Sequence, residues 1–412
     1  MLPVSLVAAA CRLGAPAIIY THVEAVPRGR HEKAGQMSHL TYLEAMVVGL
    51  VQGVTELFPV SSLGHNVLIP ALIGGSWAHD LNVSSPESPY LAFIVGLHVA
   101  TALALIAYFW RDWVRIITGF VSSVTQRRVQ TPDQKLAWMI ILATIPVGIA
   151  GVALEHLFRV AFSKPIPTAI FLAVNGLILL GGERLRRSRQ AASQATGSAH
   201  QAWAAGHTQG PTVVGAPALG AAVAGVTGMG PAGPAAAPDR GAAAPRAAGV
   251  RAAGGQGVTG GRHASGQRAA RQEEVAAAVA ADSRLSLMSY VRAVLIGSAQ
   301  ILALLPGISR DGMVTVTGMA RGLSREDAVR FSFLLSAPVI LAAGVLKVPD
   351  LMGNLGNGIR PQILVGSLLS GVGAYLSVRF LVRYFRQDRP LTPFGIYCLV
   401  AGLGSLVFLV LR

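Results

Sequence analysis

Long apolar runs separated by short polar gaps dominate the chain, and most of them fit one length class. Six runs, approximately 91–110, 136–154, 166–182, 329–348, 362–382 and 393–411, approach or reach membrane-spanning length. A hydrocarbon core of about 30 Å takes about 20 helical residues to cross. Two further apolar stretches, 40–75 and 289–320, are broken in the middle by LFPVSSLGH and LLPGISRDG. Proline removes a backbone donor and glycine loosens the chain, so each stretch predicts two half-helices folded back on each other. Broken backbone at membrane depth is tolerated only where protein buries it or it lines a wet cavity. Both stretches therefore read as re-entrant helix-loop-helix hairpins.

The order is hairpin, three spans, insert, hairpin, three spans. GLVQGVTELFPVSS and GSAQILALLPGISR share a weak pattern: a Gln, a Leu before the break, a Pro and then a Ser. Three crossings per unit turn the second unit upside down, an inverted repeat of the kind transporters use. The expected fold is thus an all-α polytopic membrane protein: six transmembrane helices plus two re-entrant hairpins. The expected boundaries are an N-terminal extension at 1–36, a first repeat at 37–185, an insert at 186–285 and a second repeat at 286–412. Met37 reads as a natural start and residues 1–36 as dispensable. The insert is dominated by Ala, Gly and Pro, cannot bury enough apolar surface to offset its ordering entropy, and is expected to be disordered.

Charge orients the spans. One set of loops carries Arg111, Arg115, Arg127, Arg128, Lys135, Arg184, Arg186, Arg187, Arg189, Arg321, Arg325, Arg330, Arg383, Arg386 and Arg389. The opposite set carries Arg159, Lys164, Lys347 and Arg360. The positive-inside rule places the first set and the insert in the cytoplasm, and both chain ends outside. Charged residues are 13% of the chain against about 25% in soluble domains, which agrees with a membrane class. The net charge of +15 follows from the loop arginines, and no nucleic-acid motif accompanies it. Cys11 and Cys398 make neither a disulfide framework nor a zinc site.

Candidate chemistry lies at the two breaks. Gln52 and Glu56, four apart, share a helix face. Pro59 ends that half-helix, Ser61 or Ser62 suits the N-cap of the next, and His65 follows on its first turn. An ionisable group in an apolar run, as Glu56 is, is a functional candidate by default. In the second break, Gly307 permits a tight turn, Ser309 caps the next half-helix and Arg310 opens it. A helix N-terminus and a guanidinium both suit phosphate. If the two tips meet, they supply an anion clamp, a nucleophile or base, and a proton shuttle. His98, inside the first span, reads as a histidine bonded to a neighbouring helix, and Asn175 as interhelical glue.

QGVTELFPVSSLGH and PGISRDG, with REDAVRFSFLLSAPVI after them, resemble the paired motifs of the BacA-type undecaprenyl-diphosphatases. The resemblance covers roughly 37–185 and 286–412. It implies the inverted-repeat fold with two re-entrant hairpins, and removal of the terminal phosphate of undecaprenyl diphosphate at the outer face of the bacterial plasma membrane. That reaction recycles the lipid carrier for peptidoglycan synthesis, and its loss sensitises bacteria to bacitracin. The resemblance further implies a divalent cation (Mg or Ca), Ser62 as nucleophile, His65 as its base or acid, Glu56 as the motif carboxylate and Arg310 as the phosphate-binding arginine. Gln52, Ser61, Gly307, Ser309 and Thr315 join Arg310 as expected phosphate contacts, and Glu56, Gln52 and Asp311 are expected on the cation. Three positions depart from the family pattern: Gln52 replaces an acid, Asp311 a serine, and Val314 a threonine that Thr315 follows. Direct attack by water, activated by Glu56 or His65, is the rival chemistry. The partners are the polyprenyl diphosphate lipid and the bilayer; a homodimer is admitted but not required. Carriage of polyprenyl phosphate lipids across the membrane is the alternative function.

Overall fold

The computed structural model describes residues 40–81, 89–162, 164–207, 260–352 and 358–412; the expected 1–36 extension lies outside them. Among the described residues every regular element is helical. The first half contains α1 (Tyr42–Thr55), α2 (Ser62–Ile73), α3 (Gly75–Asp80), α4 (Pro89–Tyr108), α5 (Trp110–Gln126), α6 (Pro132–Phe162) and α7 (Pro165–His207). The second contains α8 (Gly260–Ser286), α9 (Tyr290–Ser298), a 3-10 turn (Ala299–Leu304), α10 (Arg310–Ala320), α11 (Arg325–Met352), α12 (Arg360–Arg386) and α13 (Thr392–Leu411).

Five of these helices are long and apolar enough to cross a membrane, or up to seven if each sharply bent pair counts as one span. α1 and α2, at 14 and 12 residues, are too short to cross alone. They meet at the LFPVSS break, as expected. α1 starts with a full capping box, Thr41 accepting from the Glu44 N–H while the Glu44 carboxylate accepts from Thr41 N at 2.8 Å.

Three features differ from the sequence expectation. The run 91–110 ends in an 86° bend at Phe109, beyond which α5 follows as a separate helix rather than a loop. α5 leaves Trp110, Val114, Ile117, Val121 and Val124 exposed, a stripe at helical spacing. The other two concern the insert. α7 runs on past residue 185 to His207, and α8 starts at Gly260, so both ends of the segment expected to be disordered are helical. Alanine, the strongest helix former, is abundant at both ends. α8 is also tied down by charge: Asp282 accepts from Arg115 at 2.5 Å and Arg330 at 2.7 Å, and Arg284 pairs with Asp327 at 2.7 Å.

Helix pairs recur in the two halves. α1 packs on α12, and α9 packs on α6 in the corresponding place; α4 meets α11, and α7 meets α13. Small residues let these backbones touch, which is how helices associate where water supplies no hydrophobic drive. A Cβ on Gly176 of α7 would lie 2.6 Å from the Gly395 carbonyl of α13, and one on Gly402 would lie 2.5 Å from the Ala173 nitrogen. Gly49 and Gly53 of α1 press in the same way on Gly366 and Ser370 of α12. Outward faces are apolar, with Leu364, Leu368, Val372, Leu376 and Phe380 exposed along α12. A bilayer solvates such a face; water does not. The chain is a multi-pass membrane protein.

Some arginines of the arginine-rich ends are ion-paired. Arg325, 2% exposed, bonds Glu183 of α7 and Asp388 of the α12–α13 turn, each at 2.6 Å. Arg186 adds a bond to Asp388 at 2.8 Å.

Candidate active site

The two breaks end in matching helix starts. Ser61 is the N-cap of α2 and accepts from the Gly64 N–H at 3.2 Å; Ser309 is the N-cap of α10 and accepts from the Gly312 N–H at 3.1 Å. Each cap satisfies an orphan donor of its first turn. Ser62 and Arg310 therefore occupy the same position, the first residue of each helix. The second approach reaches its tip with one residue fewer between Gln300 and Pro306 than the first uses between Gln52 and Pro59. Its last turns are 3-10, which rises about 2.0 Å per residue against 1.5 Å in an α-helix.

The tips meet directly. Ser61 Oγ accepts a second N–H, from Gly307, at 3.1 Å. Ser61 holds a positive φ of 68°, unusual for a residue with a side chain, and this crossing bond is among the contacts that hold it there. Gly307 has φ 110°, and a Cβ there would stand 2.5 Å from the Thr168 carbonyl of α7. Asn175 of α7 then bridges both tips: its Nδ2 donates to the Pro59 carbonyl and its Oδ1 accepts from Ser309 N–H, each at 3.0 Å. The glue expected of Asn175 thus joins the two breaks.

One carboxylate sits at the junction. Glu56 Oε1 accepts from Arg310 Nη2 at 2.7 Å. Its Oε2 accepts from Gln52 Nε2 at 2.8 Å and from the Ser62 hydroxyl, and His98 Nε2 of α4 lies 3.3 Å away. Gln52 is itself fixed, its Oε1 accepting from Asn66 Nδ2 at 2.6 Å. Glu56 and Ser62 are buried, while Arg310 and His98 keep partial exposure. The Arg310 Nε is buried without a hydrogen-bond partner. An unsatisfied guanidinium N–H beside a helix N-terminus is an arrangement that receives an anion.

Of the expected site residues, Gln52, Glu56, Ser62 and Arg310 come together, with Ser61, Gly307 and Ser309 forming the joint beneath them. Both ring nitrogens of His65 are bonded elsewhere than to Ser62. Its Nδ1 lies 2.7 Å from the Ser61 carbonyl and must donate there, leaving Nε2 to accept the Tyr397 hydroxyl at 2.8 Å. The hydrogen-bond acceptor of Ser62 is Glu56. Thr315 lies buried farther along α10. Asp311 turns to α11, its Oδ1 accepting from Ser332 at 2.7 Å and Ser336 at 2.6 Å.

A cation held by protein ligands alone does not fit this cluster. Hard divalent ions take six or more oxygens. Glu56 supplies one carboxylate with both oxygens engaged, Gln52 presents its NH2 rather than its oxygen, and Asp311 gives its Oδ1 to two serines, which leaves its buried Oδ2 as a single unpartnered carboxylate oxygen, far short of a full set. Among the described residues no three His, Cys, Asp or Glu stand together as metal ligands.

Two contributors escaped the sequence reading. His98 was expected to bond a neighbouring helix, and its neighbour is Glu56 itself. Tyr397 of α13, stacked on His65 with ring centroids 5.7 Å apart, carried no motif signal.

Known proteins match this chain along most of its length. The family model described as bacitracin resistance protein BacA matches residues 45–237 and 265–404. A protein of Mycolicibacterium paratuberculosis named undecaprenyl-diphosphatase is 52% identical over 375 residues, covering 91% of this chain and 99% of that one. Undecaprenyl-diphosphatase 1 of Frankia casuarinae is 51% identical over 367 residues, covering 89% and 97%. Undecaprenyl-diphosphatase 2 of Chromobacterium violaceum is 33% identical over 371 residues, covering 89% and 98%. With its paired tips, its shared carboxylate and these matches, the chain belongs to the bacitracin resistance protein BacA family.

Proposed function

We infer that Ser62, Glu56 and Arg310 form the reaction centre of a membrane enzyme acting on undecaprenyl diphosphate. The chain hydrolyses undecaprenyl diphosphate to undecaprenyl phosphate and inorganic phosphate, the activity its relatives are named for, which recycles the carrier for cell-wall synthesis and confers bacitracin resistance. Family membership favours this over carriage of polyprenyl phosphates.

The observation that carries the site reading is the convergence of Ser62 and Arg310 on one buried carboxylate. In this reading the diphosphate enters at Arg310 and the α10 N-terminus. Ser62 attacks the terminal phosphorus in line as Glu56 takes its hydroxyl proton, and undecaprenyl phosphate leaves. Water then cleaves the phosphoserine, with Glu56 in the reverse role. Charge stabilisation by Arg310 and the two helix N-termini carries most of the barrier reduction. His65, held between Ser61 and Tyr397, braces the tip. A divalent cation belongs to this reading as a companion of the substrate, whose diphosphate oxygens supply ligands that the protein lacks. The positive-inside rule supports termini outside, the family resemblance supports a site open to the outer face, and the matching serine-capped tips support six spans with two re-entrant hairpins in an inverted repeat. All the site groups come from one chain, so a homodimer is not needed for chemistry.

Phosphate release by the purified protein in detergent tests the reading. Ser62→Ala should reduce turnover about a thousandfold or more, and Glu56→Gln about a hundredfold or more. Normal turnover by Ser62→Ala would eliminate the serine route, and full activity in Glu56→Gln would defeat the centre as a whole.

A further inference from the structure

Arg310 has two tasks that compete. It holds Glu56 Oε1 at 2.7 Å, yet in the function proposed above its guanidinium also receives the incoming phosphate. As an anion draws it away, the carboxylate must be kept facing Ser62 by other donors. Gln52 is one, but it rises from the same helix as Glu56 and fixes the carboxylate from one side only. His98 approaches from α4, an independent helix, and its Nε2 stands 3.3 Å from Oε2.

The ring is itself fixed. His98 Nδ1 lies 2.8 Å from the Ile94 carbonyl one turn earlier and donates to it, so a ring that also donates from Nε2 to Glu56 is the imidazolium, with a proton on each nitrogen. That bond sets which nitrogen faces Glu56. The backbone around it is anchored by Leu97, fully buried, and by Thr101, whose hydroxyl donates to the His98 carbonyl at 2.7 Å. A histidine oriented by a backbone carbonyl and aimed at a reacting carboxylate is arranged as a brace.

We propose that His98 is a positioning residue that locks the Glu56 carboxylate toward Ser62 from a second helix, so that Glu56 keeps its geometry while Arg310 engages the substrate phosphate. The proposal rests on Glu56 being the proton acceptor of Ser62. What it requires of position 98 is a donor that spans the gap from α4.

The test uses three variants of the purified full-length protein, assayed for phosphate release from undecaprenyl diphosphate, with thermal unfolding in the same detergent. His98→Leu fills the space without a donor, His98→Asn carries an amide one methylene too short, and His98→Gln carries one of sufficient reach. Supporting partners of a reacting group are typically worth about 10–100-fold. His98→Leu and His98→Asn should therefore lose about 10–100-fold in kcat with KM within about threefold, and His98→Gln should stay within about threefold of the parent in both. Should His98→Leu fail to fold, the contrast between Asn and Gln decides alone. Full kcat in the Asn or Leu variant overturns the proposal. So does equal loss in Gln and Asn, which would mark a role in shape rather than donation. Glu56→Gln, run alongside, separates the two readings: if it is inactive while His98→Asn is normal, only the brace fails; if Glu56→Gln is fully active, the centre fails with it.

Discussion

Replacing Asn175 by leucine should break the joint between the two tips. Asn175 is fully buried, and its amide satisfies the Pro59 carbonyl and the Ser309 N–H, each at 3.0 Å. Leucine has similar bulk and no polar atoms, so the Ser309 N–H loses its partner and the Pro59 carbonyl keeps only the weak Cys398 S–H donor at 3.8 Å. A buried polar group left unsatisfied costs about 1–3 kcal/mol, which sums here to about 2–6 kcal/mol. Asn175→Ala leaves room for a water to bridge the two, so its cost should fall near the lower bound of about 2 kcal/mol. The assay is thermal unfolding in detergent beside phosphate release. At about 2–4 °C per kcal/mol, the leucine variant should melt roughly 4–24 °C lower and the alanine variant about 4–8 °C lower. Turnover should fall in both, because Ser309 carries Arg310 directly after it. A leucine variant melting within about 1 °C of the parent, with full turnover, would refute the claim that this amide couples the tips.

Two further outcomes follow from the same geometry. Arg310→Lys offers a single ammonium where a planar fork now bonds Glu56 and presents further N–H groups; KM for the diphosphate should rise about tenfold and kcat fall, measured by phosphate release. Gly307→Ala forces a side chain into a φ of 110° and against the Thr168 carbonyl 2.5 Å away; it should destabilise by about 1–3 kcal/mol or more in thermal unfolding and lower activity, since it displaces the start of α10.

Local chemistry made the breaks legible. Pro59, Pro306 and the flanking serines marked both tips, and Glu56 stood out because a carboxylate in an apolar run needs a reason. Arg310 was legible as the guanidinium beside a capped helix start. The partnerships of His98 and Tyr397 were not, because each is made across helices far apart in the chain, and local periodicity holds no record of which helices will touch. The same limit applies to His65: it lies three residues from Ser62, which made it the natural candidate for a base, but its Nδ1 is bonded to the Ser61 carbonyl and its Nε2 to Tyr397. α5 could have been found. Trp110, Val114, Ile117, Val121 and Val124 repeat at helical spacing, a signal hidden by the arginines interleaved with them. The helical ends of the insert were hidden by glycine and proline counted over the whole segment rather than turn by turn.

Ser62 and Arg310 stand at twin addresses, each opening a serine-capped helix, yet one is suited to attack and the other to grip. Neither half of the molecule owns both tools. The carboxylate that serves them belongs to the first half, while the cationic hand belongs to the second. In the proposed reading catalytic competence is therefore a property of the seam: a displacement of one half against the other separates Ser62 and Arg310 from their shared carboxylate without unfolding either part.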